Sequence, residues 1–281
     1  MRFGIHIRIA SGLVKGLDRA AELGCEAVQL FSQNPNSWAA KPLEESEAVA
    51  FREKAASLDI WPVVVHTPYL VNLAAPDSDI WEKSVGALAH AVSRATVLDS
   101  GIVVTHIGSH KGAGYALGVQ RICEAVRRSL EAGDGPAIAL ELGSGAGASI
   151  GSTFEQVADI LGCLDDVSQR VGIAIDTAHL YGAGYDISTS EGVGNLFSQI
   201  ESNVGLDRLL LVHLNDTLVD LGSHRDRHHH IGRGNIGVKG FAEMLNYPIH
   251  RDIPGIIETP GDAVAFDQAN LDVLRELRRQ R

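Results

Sequence analysis

The sequence predicts an α/β protein folded as one (β/α)₈ barrel, a TIM barrel of parallel strands wrapped by helices. Three features carry that expectation. Short apolar runs alternate with longer stretches of helical periodicity, and the alternation completes eight times within 281 residues. The runs are also almost continuously apolar, as parallel strands covered on both faces must be.

Taken in order, RFGIHI (Arg2 to Ile7) is the first predicted strand, and Gly12 to Gly24 has the spacing of an amphipathic helix ending at a Gly stop. AVQLF (Ala27 to Phe31) is the second strand; after the loop SQNPNSW (Ser32 to Trp38), apolar residues recur at helical spacing from Leu43 to Leu58. WPVVVH (Trp61 to His66) precedes a helix from Asp79 to Leu98, and GIVVTH (Gly101 to His106) one from Tyr115 to Glu131. AIALE (Ala137 to Glu141) precedes Thr153 to Leu161, and VGIAID (Val171 to Asp176) precedes Glu191 to Ser202. RLLLVH (Arg208 to His213) leads to Lys239 to Leu245, and GIIE (Gly255 to Glu258) to a last helix from Asp262 to Arg279. No GxGxxG follows the first strand and no GxxxxGK[ST] occurs, so nucleotide-binding folds gain no support. The Gly-rich stretch Gly143 to Gly151 lacks a phosphate-loop Lys and reads as a flexible turn.

With 45% apolar and 21% charged residues the chain can bury a large core, and residues 1–281 are expected to form a single domain. No run approaches the roughly 18 apolar residues of a membrane span, and MRFGIHIRIASG mixes charges into its apolar residues, so a cytoplasmic protein is expected. Cys25, Cys123 and Cys163 lie far apart, without CxxC spacing, and read as reduced core residues. A net charge of −11 argues against generic electrostatic binding of nucleic acid, although a carboxylate-rich metal centre would contribute negative charge that bound cations cancel.

The chemistry is concentrated in VHLNDTLVDLGSHRDRHHHIGRG (Val212 to Gly234), which holds His213, Asp216, Asp220, His224, Asp226, His228, His229 and His230. Imidazoles and carboxylates together suit zinc and its neighbours, while a solvated loop with a chance His run is the plainer alternative. The frame decides between them. The third to eighth strands end in His66, His106, Glu141, Asp176, His213 and Glu258, and in a barrel those positions share the C-terminal rim where barrel enzymes place their chemistry. His179, three residues after Asp176, and the pair Asp226 and His228 bring the set to nine. Burying so many carboxylates and imidazoles together is costly unless cations compensate them. Nine ligands exceed the needs of one ion and suggest two or three metals sharing a carboxylate, an arrangement suited to phosphoester hydrolysis.

The strings HTPYLVNLA (His66 to Ala74), THIGSH (Thr105 to His110), DTAHLYGAGYD (Asp176 to Asp186), HLNDT (His213 to Thr217), GSHRDRHHHIGRGNIG (Gly222 to Gly237) and IET (Ile257 to Thr259) resemble the endonuclease IV family of apurinic/apyrimidinic endonucleases. The resemblance runs from the first strand to the last helix. It implies a zinc-dependent DNA-repair hydrolase of base excision repair that cleaves double-stranded DNA on the 5′ side of abasic sites, leaving a 3′-hydroxyl. Carried over residue by residue, it implies His66 and His106 on one zinc ion, with Glu141 bridging to a second held also by Asp176, His213 and Glu258. His179, Asp226 and His228 would hold the third, which would take the phosphate and leaving oxygen. Glu141 and Glu258 would flank a hydroxide nucleophile. Tyr69 and Leu70 match residues that wedge into DNA when the damaged nucleotide flips out, their alternative being ordinary loop packing. Trp38 is placed equally well as a DNA contact or as a cap over the rim. Several positions depart from the pattern: Ile107 stands for the usual Pro, Glu141 to Gly147 reads ELGSGAG, and Asn36 stands where an Arg often enters the DNA. His and carboxylate ligands accept manganese as well as zinc.

Two other functions remain in view. Sugar or sugar-phosphate isomerases and epimerases resemble this barrel but place one divalent metal on about four ligands, which leaves His66, His106, His179, Asp226 and His228 unused. A metal-storage protein would explain His228 to His230 but not the six strand ends. A monomer is the default.

Overall fold

The computed structural model describes residues 1–10, 12–249, 252–261 and 264–279. Strands β1 (Arg2–His6), β2 (Ala27–Phe31), β3 (Val63–His66), β4 (Ile102–His106), β5 (Ala137–Glu141), β6 (Val171–Asp176), β7 (Leu209–His213) and β10 (Pro254–Ile257) pair in parallel and close a barrel in that order. Each matches an expected strand, with ends moved by a residue or two. β3 starts at Val63 because Pro62 has no amide hydrogen to give the ladder.

Around the barrel lie α1 (Leu13–Glu22), α2 (Glu45–Ser57), α3 (Ser78–Val97), α4 (Tyr115–Leu130), α5 (Phe154–Cys163), α6 (Thr177–Ala183), α7 (Ser190–Asn203), α8 (Gly237–Asn246) and α9 (Val264–Arg279). Asp77, Thr153 and Thr189 start α3, α5 and α7 by accepting a hydrogen bond from the amide three residues on. Asp262, the expected start of the last helix, lies outside the described residues. Beyond the expected elements come the short α6, an antiparallel pair of β8 (Asp216–Thr217) with β9 (His228–His229), and 3-10 turns at Asp165–Arg170 and Leu206–Arg208. No helix among the described residues is long and apolar enough to cross a membrane.

What positions the site is the layering inside the barrel. Ala27, Val64, Val104, Ala139, Ala174, Leu211 and Ile256 form one buried apolar layer. Gly4 is the β1 member, where a Cβ would sit 1.9 Å from the carbonyl oxygen of Ala27, so only a hydrogen fits. Side chains two residues apart on a strand share a face, so the next layer up is His6, Gln29, His66, His106, Glu141, Asp176, His213 and Glu258. The apolar layer is the floor and this ring the site.

Candidate metal centre at the barrel mouth

Glu141 is the hub of the ring. Its carboxylate is 2% exposed and lies between four imidazoles: Oε2 is 3.3 Å from His66 Nε2 and 3.5 Å from His106 Nδ1, and Oε1 is 3.0 Å from His213 Nδ1 and 3.5 Å from His179 Nδ1. Asp176 caps α6 through Oδ1, accepting from the amides of Ala178 and His179, which seats His179 above the barrel. Its Oδ2 accepts from Asn215 Nδ2 at 2.7 Å and lies 3.4 Å from His228 Nε2. Asp226, at the solvent edge, faces His179 Nε2 at 3.1 Å and His228 Nε2 at 3.3 Å.

Ligand-type atoms converge in three groups, each within 4.8 Å: His66, His106 and Glu141; Glu141, Asp176 and His213; and Asp176, His179 and His228. Glu141 belongs to two groups and Asp176 to two, so the three join through shared carboxylates. Asp176, expected beside His213, thus lies as close to the His179 and His228 group that Asp226 covers. Glu258 stands just outside, its Oε2 3.6 Å from His213 Nδ1.

The donor set fits metal ions on two counts. His66 Nδ1–H donates to the carbonyl of Thr67, His179 Nδ1–H to that of Leu142 and His228 Nδ1–H to that of Glu258, so each keeps its Nε2 lone pair for the centre. His213 is reversed, with Nε2–H donating to Gln29 Oε1 at 2.8 Å and Nδ1 facing inward. In addition, the buried Nε2 of His228 makes no well-directed hydrogen bond although two carboxylates lie within 3.4 Å. A ring nitrogen and carboxylates aimed at a common point is the arrangement of ligands around a cation.

The charges are tightly balanced. Burial, the largest single influence, opposes ionisation of Glu141 but is outweighed by His106, His213 and His66, which hold the carboxyl well below its usual range. Burial likewise opposes ionisation of Glu258 and Asp226, and neighbouring imidazoles reverse it. For His213 and His228, burial lowers the pKa but the surrounding carboxylates raise it, to about 9 and about 10 respectively. His179 is raised well above its usual value against the same burial, chiefly by Asp176 and Asp226. His6 and His106 go the other way because burial wins there. Without a cation, protons on the imidazoles neutralise the carboxylates.

The matching family model describes a xylose isomerase-like TIM barrel and covers residues 17–279. A protein named "Probable endonuclease 4" from Chloroflexus aurantiacus is 43% identical over 279 residues, 98% of each chain. One so named from Methanoculleus marisnigri is 43% identical over 276 residues, again 98% of each. The crystal structure of endonuclease IV from Thermus thermophilus superposes over 100% of both chains with a TM-score of 0.89 at 32% identity. The chain belongs to the endonuclease IV family. A D-tagatose 3-epimerase-like protein superposes with a TM-score of 0.73 at 19% identity and shares the fold alone.

The departures from the family pattern have local explanations. Ile107 is buried, and its side chain lies against Gly151, where a Cβ would sit 2.2 Å from Ile107 Cδ1. The Gly-rich stretch is a turn closed by a hydrogen bond from Gly143 N–H to the Gly151 carbonyl. Of the polar residues in the Val212 to Gly234 segment, His213, Asp226 and His228 reach the centre. Asp216 does not: its carboxylate is buried and accepts from the amides of Thr217, Gly234, Ile236 and Gly237, folding the loop back on itself. Gly234 is required there, since a Cβ would sit 2.2 Å from the Thr217 carbonyl oxygen. His224 Nδ1 pairs with the Ser144 carbonyl and His230 Nδ1 with Asn270 Nδ2, away from the centre.

Tyr69 is 61% exposed and Leu70 36%, and the Tyr69 ring lies edge-on to Phe31 at 5.1 Å. Asn36 is exposed in a turn held by its own amide to Asn34 Oδ1, while Trp38 is half-buried against the core. A cleft of about 920 Å³ opens beside Glu258 and passes Tyr69, with Arg8, Lys41 and Arg94 on its walls. His6 and Gln29 are the ring members that sequence reasoning missed; the two-residue step from Gly4 and Ala27 points to both.

Proposed function

We propose that this chain is a DNA-repair endonuclease that hydrolyses the backbone of duplex DNA 5′ to abasic sites, using a centre of three divalent ions, zinc or in part manganese. The observation that carries the reading is the set of three donor groups linked through Glu141 and Asp176, because a one-metal sugar isomerase has no use for three. His66, His106 and Glu141 would hold one ion, Glu141, Asp176, His213 and Glu258 a second, and His179, Asp226 and His228 a third, with Asp176 placed to serve the last two. Bound ions would lower the pKa of water and neutralise charge on the phosphate oxygens.

The chain's own groups supply the rest. Glu258 is kept ionised, with Oε1 tied to Gln29 and Oε2 turned toward His213, so Oε2 can take the proton of a water attacking phosphorus. Attack breaks the bond from phosphorus to the 3′-oxygen of the upstream nucleotide, and the phosphate stays with the abasic sugar. Glu141, buried at the centre, fixes the spacing of the imidazoles and would flank the attacking water beside Glu258. Tyr69 and Leu70, exposed at the lip, would fill the space left by a flipped nucleotide, and Asn36 and Trp38 follow Asn34 and Pro35, which line the cleft, on the same loop. The protein would act as a cytoplasmic monomer.

The test is incision of a duplex carrying one abasic analogue, with and without chelator, beside an undamaged duplex. Chelator-sensitive cleavage 5′ to the lesion is expected. Protein holding three ions that cleaves neither duplex would refute the reading and direct the search to sugar phosphates.

A further inference from the structure

Gln29 is the ring member that offers no ligand, yet it touches two that do. It is 0% exposed on β2, inside the barrel. Its Nε2 donates to Glu258 Oε1 at 2.6 Å and lies 2.9 Å from His6 Nδ1, while its Oε1 accepts from His213 Nε2–H at 2.8 Å. The amide has one workable orientation, since reversing it would set its oxygen against the Glu258 carboxylate. That orientation puts the His213 proton on Nε2 and leaves Nδ1 bare, 3.0 Å from Glu141 Oε1 and 3.9 Å from Asp176 Oδ2. His66, His179 and His228 are oriented by main-chain carbonyls, which no side-chain substitution removes. His213 is oriented by a side chain.

We infer that Gln29 is a positioning residue that fixes the tautomer of His213 and the aim of Glu258, so one amide assembles both the middle donor group and the carboxylate beside it. The part concerning Glu258 rests on the endonuclease reading; the part concerning His213 rests on geometry alone. A buried glutamine serving only as polar filler would stabilise the fold and do nothing more.

Gln29→Met keeps the volume and removes both hydrogen bonds. In the full chain, zinc affinity measured by competition with a chromophoric chelator is expected to fall 10- to 100-fold for one ion, with the others unchanged. Incision of abasic duplex should lose kcat at unchanged KM. Gln29→Glu, which still accepts from His213 but sets a second carboxylate against Glu258, should recover zinc affinity to within a few-fold and leave kcat low. Zinc affinity of Gln29→Met within twofold of wild type would overturn the inference. If wild type cuts no abasic DNA while Gln29→Met still loses zinc, the endonuclease reading fails and the assignment of Gln29 to His213 stands. Should Gln29→Met not fold, nitrogen NMR of ¹⁵N-histidine-labelled, zinc-loaded wild type decides the matter: a proton on His213 Nε2 is expected, and one on Nδ1 overturns it.

Discussion

Zinc entering the metal-free protein must displace protons, and their number follows from the site. A ligating imidazole has to be neutral. The surrounding carboxylates raise His213 to about 9 and His228 to about 10, so at pH 7 both are mostly protonated, and His179 is raised well above its ordinary 6.5 as well. His6 and His106, whose pKa values burial lowers, are mostly neutral there already. Loading at pH 7 is therefore expected to release about three protons per chain. Affinity should rise about tenfold per pH unit for each proton an ion displaces, up to about pH 9. Calorimetric titration in buffers of different ionisation enthalpy reads the proton number as a slope. Release of fewer than one proton at pH 7 would refute the charge balance deduced for the site. The same groups shape stability without metal. The raised histidines stabilise fully below 6.5 and cease to as pH climbs through about 9 and about 10. The depressed carboxylates Glu141, Asp226 and Glu258 stabilise above their ordinary 4.5 and 3.8 and lose that contribution in acid. The melting temperature of metal-free protein should thus be highest between these limits.

Glu258→Gln should retain the fold and most of the metal while hydrolysis falls by several orders of magnitude, and near wild-type turnover would remove Glu258 from proton transfer. Asp226→Ala deprives His179 and His228 of their outer carboxylate and is expected to cost one zinc per chain by elemental analysis; an unchanged count would show that Asp226 is no ligand. Asn36→Arg, in an exposed turn beside the groove, should tighten abasic-duplex binding with little effect on stability, whereas unaltered affinity would place Asn36 off the DNA. Gly4→Ala drives a methyl into the Ala27 carbonyl and should destabilise the barrel by about 3 kcal/mol in denaturant titration. A loss below about 1 kcal/mol would mean that β1 and β2 can part at that point.

The strand ends were legible because an apolar run closing on His, Asp or Glu is conspicuous, and the barrel converts six such endings into one rim. Gln29 and His6 escaped notice for a physical reason. β2 runs two residues past Gln29 to Phe31, and the apolar run of the first strand reads one past His6 to Ile7, so each run closes on an apolar residue and only the alternation of the pleat reveals the inward-facing polar side chain. The β8 and β9 pair is two residues long on each side, too short to produce a periodic signal, and rests on Asp216 accepting four amides across its loop. That use of Asp216 is invisible in composition, which counts every carboxylate of the segment as a possible ligand. α6 has seven residues and no apolar stripe of its own; Asp176 makes it, by capping it.

An acidic chain that binds DNA needs an electrostatic account, and the site supplies one. Glu141, Asp176, Asp226 and Glu258 crowd four of the negative charges into the barrel mouth, where phosphate would have to enter. Protonated imidazoles offset those charges only by occupying the lone pairs that ligation needs. Three divalent cations would offset six of the formal net −11 and place positive charge at the mouth, next to a cleft whose walls carry Arg8, Arg19, Lys41 and Arg94 against Glu47 and Asp267. On that reading the net charge of the sequence misleads about DNA, because it counts the ligands and omits the ions. Metal loading and phosphate binding would be two stages of one charge reversal, and the carboxylates that argue against nucleic acid in the composition would be what makes its recognition possible.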